Sequence, residues 1–75
     1  MKVHGEEIPE HLIDHALASM DVKRGFTLGN LEGALCRAGV PHEGGVAMRC
    51  ADRTLQKLRR KGSIAFDGRV WKVAA

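Results

Sequence analysis

Apolar residues recur at helical spacing in the first part of the chain. From Leu12 to Met20 they form one stripe, and Pro9 just before it suits the first position of a helix. We therefore predict a first helix over Pro9 to Met20. Residues 1–7 are polar and contain a glycine, which predicts a flexible N-terminal tail or a short edge strand.

A second helix is marked at both of its ends. Phe26 and Leu31 bracket Thr27 as a hydrophobic staple brackets an N-cap, so this helix is predicted to begin at Thr27. Its apolar side repeats at helical spacing as far as Gly39, which supplies a left-handed C-cap. Pro41 follows and cannot continue the helix.

The third helical pattern is the most strongly two-sided in the chain. It is predicted over about 46–61, after a turn at 42–45, and Gly62 closes it. Its inward side carries Ala47, Ala51, Leu55 and Leu58. On the opposite side, long hydrogen-bonding side chains recur at i, i+4, i+7 and i+11, which places them in one line along the helix. We call this line the α3 stripe, and its members are Arg49, Arg53, Gln56 and Arg60.

The period changes to 2 in the segment 63–73, which predicts a β-hairpin. Asp67-Gly68 is a strong signal for a two-residue turn, and pairing across it sets Phe66 opposite Arg69. In that register one face of the hairpin carries only apolar side chains and is predicted to close the core. These side chains are Ile64, Phe66, Trp71 and Val73.

Charge is divided unevenly along the chain. Residues 1–44 carry four Lys/Arg against seven Asp/Glu, whereas residues 45–75 carry eight against two. Segregated positive charge of this kind is typical of a surface that meets phosphate or an acidic protein. An ordinary solvated helix face rich in Lys and Arg is the simpler interpretation of the same pattern.

The predicted order is helix, short extended segment, helix, turn, helix and two-stranded wing. This α+β arrangement resembles the winged helix-turn-helix DNA-binding family over about residues 8–74. The resemblance implies a winged-helix domain over residues 8–75. It also implies that the third helix enters the major groove of duplex DNA, while the second helix lies across the backbone and the wing touches an adjacent groove or phosphate.

The resemblance gives each polar residue of the stripe and its surroundings an expected role. Arg49, Arg53 and Gln56 are the candidates for base contacts, because Arg suits guanine and Gln suits adenine. Candidates for backbone contacts are Lys57, Arg59, Arg60, Lys61, Lys72, Arg37 and Asn30. Arg69 lies at the wing tip, where it reaches a groove or phosphate or else stacks on Phe66.

Other chemistry has little support in the sequence. His11 and His15 share a helix face, but that face is predicted to be exposed and offers no third metal ligand. Cys36 and Cys50 form no CxxC pair, and a reducing compartment fits them. A single thin core leaves no room for a cofactor. We expect no metal, no cofactor and no enzyme activity, because nucleophile motifs and phosphate-binding loops are missing.

Duplex DNA is thus the expected partner, in a small transcriptional regulator or an accessory factor of DNA transactions. The alternative is a protein-interaction module that docks its basic face on an acidic partner; DNA binding requires Arg49, Arg53 and Gln56 to be free of intramolecular pairing. Single-strand binding is disfavoured because Phe26, Phe66 and Trp71 are all predicted in the core. We expect a cytoplasmic monomer or weak homodimer without a membrane span, typical by resemblance of bacteria or phages.

Overall fold

The computed structural model describes residues 1–74. The chain forms two short hairpins, one at each end, with three α-helices between them. A single 3-10 turn at Glu43–Gly45 leads into the third helix. The elements are β1 (Lys2–Val3), β2 (Glu6–Glu7), α1 (Glu10–Ser19), α2 (Leu28–Ala38), α3 (Val46–Arg60), β3 (Ile64–Phe66) and β4 (Trp71–Val73).

Helix α2 is central and packs against both α1 and α3. Each helix turns its apolar stripe inward, as the helical period predicted. The most deeply buried large side chains, Phe26, Leu31 and Leu35, come from α2 and the residue just before its cap. On α3 the inner face is made by Val46, Ala47, Cys50, Ala51, Thr54 and Leu55.

Both predicted ends of α2 are confirmed. The Thr27 hydroxyl accepts from the Asn30 backbone N–H at 3.1 Å, and Asn30 Oδ1 accepts from the Thr27 N–H at 3.0 Å. This reciprocal pair is a capping box in which Asn takes the place of the usual Glu or Gln. At the other end Gly39 has φ +115 and donates to the carbonyls of Cys36 and Leu35.

The C-terminal hairpin is present, but its predicted register is wrong by two residues. Phe66 lies opposite Trp71 rather than Arg69, and Ile64 lies opposite Val73 rather than Trp71. The turn is centred on Gly68-Arg69, because Asp67 closes it with its own side chain. Since the shift is an even number of residues, each side chain stays on its predicted face.

That face closes the core only in part, through one residue of each strand. Ile64 is buried and Trp71 is half-buried, whereas Phe66 is 55% exposed and Val73 is 44% exposed. The Phe66 and Trp71 rings contact each other in a tilted arrangement, with centroids 5.2 Å apart. The prediction that all the aromatic side chains lie in the core is therefore wrong for Phe66.

A main-chain bridge ties the segment before α2 to the wing. The Phe26 N–H donates to the Trp71 carbonyl at 2.9 Å, and the Trp71 N–H donates to the Phe26 carbonyl at 2.8 Å. The predicted short extended segment thus forms a third, single-residue strand beside β4. Three helices followed by an antiparallel hairpin form a small α+β fold whose layout is consistent with a winged helix.

Residues 1–7 adopt the short-strand alternative rather than a flexible tail. Strands β1 and β2 pair antiparallel across His4-Gly5, and both of these residues have positive φ, as a type I′ turn requires. Val3 is only 1% exposed and belongs to the main core. The domain therefore includes the first seven residues instead of starting at Ile8.

Among residues 1–74, none of the helices combines the length and the apolar character that crossing a bilayer requires.

Candidate nucleic-acid interface

The α3 stripe lies on the solvent side of α3, opposite the inner face. Arg49, Arg53 and Arg60 are exposed, and Gln56 is half-buried. The burial of Ala51 and Leu55 on the other side fixes this orientation, because rotating the helix would take both of them out of the core. The helical period alone therefore positions the four side chains in one line.

An open groove runs beside the stripe, between α3 and the start of α1. We call it the α3 groove. It brings together six of the residues predicted for DNA contact with three others that complete its walls. The predicted residues are Arg49, Arg53, Gln56, Lys57, Arg60 and Lys61, and the walls are completed by Met1, Glu10 and Asp52.

The charge of the α3 groove is positive but not uniform. Five basic side chains line it against two acids, Glu10 and Asp52. Asp52 belongs to α3 itself, at i+3 from Arg49, whereas Glu10 is brought to the groove from α1 by the fold. An anionic partner in this groove is attracted overall and is excluded from the immediate neighbourhood of the two carboxylates.

Two members of the stripe are paired within the molecule. Arg49 Nη1 lies 3.4 Å from Asp52 Oδ2, an ion pair between helix positions i and i+3. Arg53 Nη1 donates a hydrogen bond to the carbonyl oxygen of Lys2 in β1. Gln56 is engaged in neither contact. By the criterion set from the sequence, two of the three candidates for base contact are not free.

These pairings are weak restraints. Arg49 and Asp52 are both substantially exposed, and an exposed ion pair is worth on the order of 0–1 kcal/mol. The free energy of a bidentate interaction between Arg49 and a phosphate or base edge exceeds that value. For Arg53, leaving Lys2 returns an exposed carbonyl to water. Arg49 and Arg53 can therefore exchange these partners for an anionic ligand at a small cost in free energy.

The candidates on α2 lie in a separate cleft. Asn30 and Arg37 line it together with Arg24, which sequence reasoning did not select. Asn30 uses its carbonyl oxygen in the capping box and keeps only its amide N–H groups for a ligand. Arg24 belongs to the charged connection between α1 and α2, and its position beside Arg37 is a consequence of the turn that ends at Gly25.

The wing candidates lie outside both depressions. Lys72 Nζ is 3.2 Å from Asp67 Oδ2, so Lys72 is partly neutralised. Arg69 is exposed in the turn. The alternative in which it stacks on Phe66 is not seen, because the Phe66 ring contacts Trp71 instead. Arg59 is exposed on α3 but does not line the α3 groove. The wing and Arg59 are therefore peripheral to the main basic surface.

Asp67 is the organising residue of the wing turn. Its Oδ1 accepts from the backbone N–H groups of Val70 and Arg69, each at 2.9 Å. These two hydrogen bonds, with the neighbouring Lys72 ammonium, lower the pKa of the Asp67 carboxyl to about 2. Asp67 is therefore ionised at neutral pH and holds the turn in its shifted register.

The remaining titratable groups form no second site. Within residues 1–74, three or more His, Cys, Asp or Glu side chains nowhere cluster as a metal would require. Cys36 and Cys50 are free thiols in the structure. Burial raises the pKa of the Cys50 thiol, whose sulfur lies 3.9 Å from the Met1 sulfur under the N-terminal hairpin.

Comparisons of the chain with protein-family models, with curated proteins and with solved structures found no match. The assignment of a function consequently depends on the geometry and charge described above.

Proposed function

We propose that this protein binds duplex DNA as a winged helix, with α3 in the major groove and the wing against the backbone or the minor groove. The observation that carries the proposal is the α3 groove. Six side chains capable of contacting DNA line one open surface of a single helix, and the buried face of that helix fixes their direction. The protein would act in the cytoplasm as a small transcriptional regulator or accessory factor.

Within this proposal Arg49, Arg53 and Gln56 contact base edges from the first two-thirds of α3. Lys57, Arg60 and Lys61 follow along the same groove and contact phosphates. Arg24 joins Arg37 as a phosphate contact from the α2 cleft. The Arg49–Asp52 and Arg53–Lys2 pairings then hold the two arginines in place until DNA exchanges for their partners.

The test is a titration of the protein into a fluorescently labelled duplex of random sequence, followed by anisotropy at low and near-physiological salt. Binding is expected to weaken with salt, and each lost phosphate contact is expected to reduce the slope of log K against log salt by about 1. Arg60→Ala removes such a contact. Lys23→Ala removes the same charge from an exposed position outside the α3 groove and serves as the matched control.

Arg49→Ala/Arg53→Ala should weaken binding further than Arg60→Ala, and Gln56→Ala should change preference among duplexes once a preferred site has been selected. A discrimination change of about 1–3 kcal/mol per base-reading side chain is expected. Absence of binding at low salt, or equal losses for Arg60→Ala and Lys23→Ala, would rule out α3 as the DNA-contacting helix.

A protein-interaction module is the second candidate. It is favoured by the intramolecular pairing of Arg49 and Arg53 and by the exposed apolar side chains of Phe66 and Val73. Such a module would dock the basic face on an acidic protein without binding DNA of its own. A labelled single strand in the same titration tests the remaining alternative, which is single-strand binding, since Phe66 is accessible to a stacking base.

A further inference from the structure

Strand β3 has one edge that no other strand covers. Main-chain hydrogen bonds across the hairpin join alternate pairs of residues, Asp67–Val70 at 3.1 Å and Ser63–Ala74 at 3.0 Å. In an antiparallel ladder the residues between such pairs direct their N–H and C=O groups to the other side. On β3 these residues are Ile64 and Phe66, and within residues 1–74 no further strand pairs with them.

The two strands of the wing differ in this respect. The outer side of β4 is occupied, because Trp71 exchanges two hydrogen bonds with Phe26, and the Val73 N–H donates to the Val22 carbonyl at 3.3 Å. The outer side of β3 offers two N–H and two C=O groups, and among residues 1–74 no main-chain group bonds to them. Unpaired edge groups of this kind are a template for pairing with another strand.

The side chains of this edge lack the features that normally prevent pairing. The strand reads Ile64-Ala65-Phe66, without proline, lysine or any other charged residue. Phe66 is 55% exposed, and Val73 on the same face of the hairpin is 44% exposed. The open edge is thus continuous with an accessible apolar surface.

We propose that two copies of this chain pair through β3, antiparallel, about a twofold axis at Ala65. Ile64 of each copy then lies opposite Phe66 of the other, and these are the residues whose main-chain groups point outward. Two hydrogen-bonded pairs form, with four hydrogen bonds in all by the antiparallel pattern. Ala65 faces Ala65 of the second copy at the axis.

The geometry favours a second copy over a different partner because the edge is self-complementary. One strand supplies the two outward residues in the spacing that its symmetry mate needs, and the small side chain at the axis allows close approach. The two copies' Phe66 side chains fall on one face of the joined sheet, beside Trp71 and Val73, so association covers the exposed apolar surface. A three-residue edge gives a weak, transient dimer rather than an obligate one.

Charge opposes this dimer, since each chain carries a formal net charge of +3. Salt screens that repulsion without weakening apolar contacts, so self-association should hold or strengthen as salt rises. DNA binding would respond in the opposite direction. The two properties can therefore be separated, and the dimer is measured with no DNA present.

The first test is sedimentation equilibrium of the full chain from about 10 µM to about 1 mM, which spans weak association. We expect a monomer–dimer equilibrium in the wild type. Phe66→Lys should shift the dimerisation constant at least about tenfold toward monomer, because it places a charge at the edge and removes the aromatic surface. Lys72→Ala, on the neighbouring strand β4, is the matched control and should retain the dimer.

The second test is disulfide trapping in a Cys36→Ser background. Non-hydrogen-bonded antiparallel partners have Cα atoms about 4.5 Å apart, which a disulfide can span. Ala65→Cys should therefore cross-link under mild oxidation at least about ten times faster than Lys72→Cys, which lies directly opposite Ala65 on β4. Adding Phe66→Lys to Ala65→Cys should slow the reaction.

A wild type that stays monomeric to about 1 mM, or equal cross-linking of the Ala65→Cys and Lys72→Cys chains, would overturn the proposal. So would a dimer that Phe66→Lys leaves intact. Thermal unfolding of each variant by circular dichroism ensures that any loss of association is read on folded protein.

Discussion

The two hairpins of this protein have similar size and opposite surroundings. The N-terminal hairpin is polar in sequence, yet Val3 is buried and Arg53 of α3 donates to the Lys2 carbonyl. The C-terminal hairpin is apolar in sequence, yet Phe66 and Val73 remain largely exposed. A short hairpin is stabilised by what it docks against: the first docks on the helices through Val3, and the second through Ile64 and the outer side of β4.

The first hairpin therefore belongs to the packed part of the domain, whereas the second presents exposed apolar side chains to solvent. The N-terminal hairpin packs against α3 and touches the stripe proposed to meet DNA. The C-terminal hairpin is held along the outer side of β4 by Phe26 and Val22, whereas the outer side of β3 is paired with no other strand of residues 1–74. Substitutions in the two hairpins should consequently have different effects.

Gly25→Ala should be the most destabilising substitution, because it disrupts the contact between the segment before α2 and the turn of the wing. Gly25 has φ +117, and a Cβ there would collide with Cγ2 of Val70 and lie 3.2 Å from its Cβ. Left-handed backbone strain and steric overlap together are expected to lower the free energy of unfolding by at least about 2 kcal/mol. Urea denaturation followed by circular dichroism measures the change.

The matched control is Gly33→Ala in the interior of α2. There the added methyl would meet only the flexible end of Arg37 at 3.4 Å, so helix propensity should raise the free energy of unfolding by about 0.5–1 kcal/mol. A Gly25→Ala variant that is as stable as Gly33→Ala would mean that the segment before α2 and the wing turn separate at little cost, and that the hairpin is not anchored as described.

The same truncation in each hairpin gives the most direct comparison of their docking. Val3→Ala removes buried methyl groups and should cost about 1.5–2.5 kcal/mol of unfolding free energy. Val73→Ala acts on a side chain that is 44% exposed and should cost less than about 0.5 kcal/mol. Chemical denaturation of the two variants decides the matter, and equal costs would contradict a docked first hairpin.

Acid should loosen the wing turn selectively, with the smallest effect of the three. The folded-state pKa of Asp67 is lowered to about 2 from its ordinary value of 3.8, so its contribution to stability is complete above about pH 4 and is lost as pH falls toward 2. The stability gap between wild type and Asp67→Ala should therefore close over that range. Thermal unfolding monitored by the single tryptophan, Trp71, measures the gap at each pH.

The helices could be predicted because their signals are local. Periodicity fixed the inner faces, and Thr27 and Gly39 marked the ends of α2 through their own side-chain and backbone chemistry. The wing register could not be predicted, because it depends on the side chain of Asp67. Its carboxylate accepts two backbone N–H groups, which places the turn one position further along the chain. Both placements fit the same dipeptide.

The N-terminal hairpin and parts of the candidate site required tertiary information. His4-Gly5 is a two-residue turn signal in retrospect, but the burial of Val3 depends on the helical core. The stripe itself followed from spacing along one helix. The hydrogen bond from Arg53 to Lys2 spans 51 residues, and no local pattern indicates it. Arg24 joins Arg37 only because the chain folds back before α2.

The main-chain bridge between Phe26 and Trp71 has a consequence for how such a wing can change. Because Trp71 is fixed by backbone hydrogen bonds to Phe26, lengthening the turn between Gly68 and Arg69 leaves the pairing of Phe66 with Trp71 untouched. Each strand grows by about 3.3 Å per residue, so two residues added to both strands extend the wing by about 7 Å. The length of the hairpin can therefore be changed, in evolution or by design, independently of the helices.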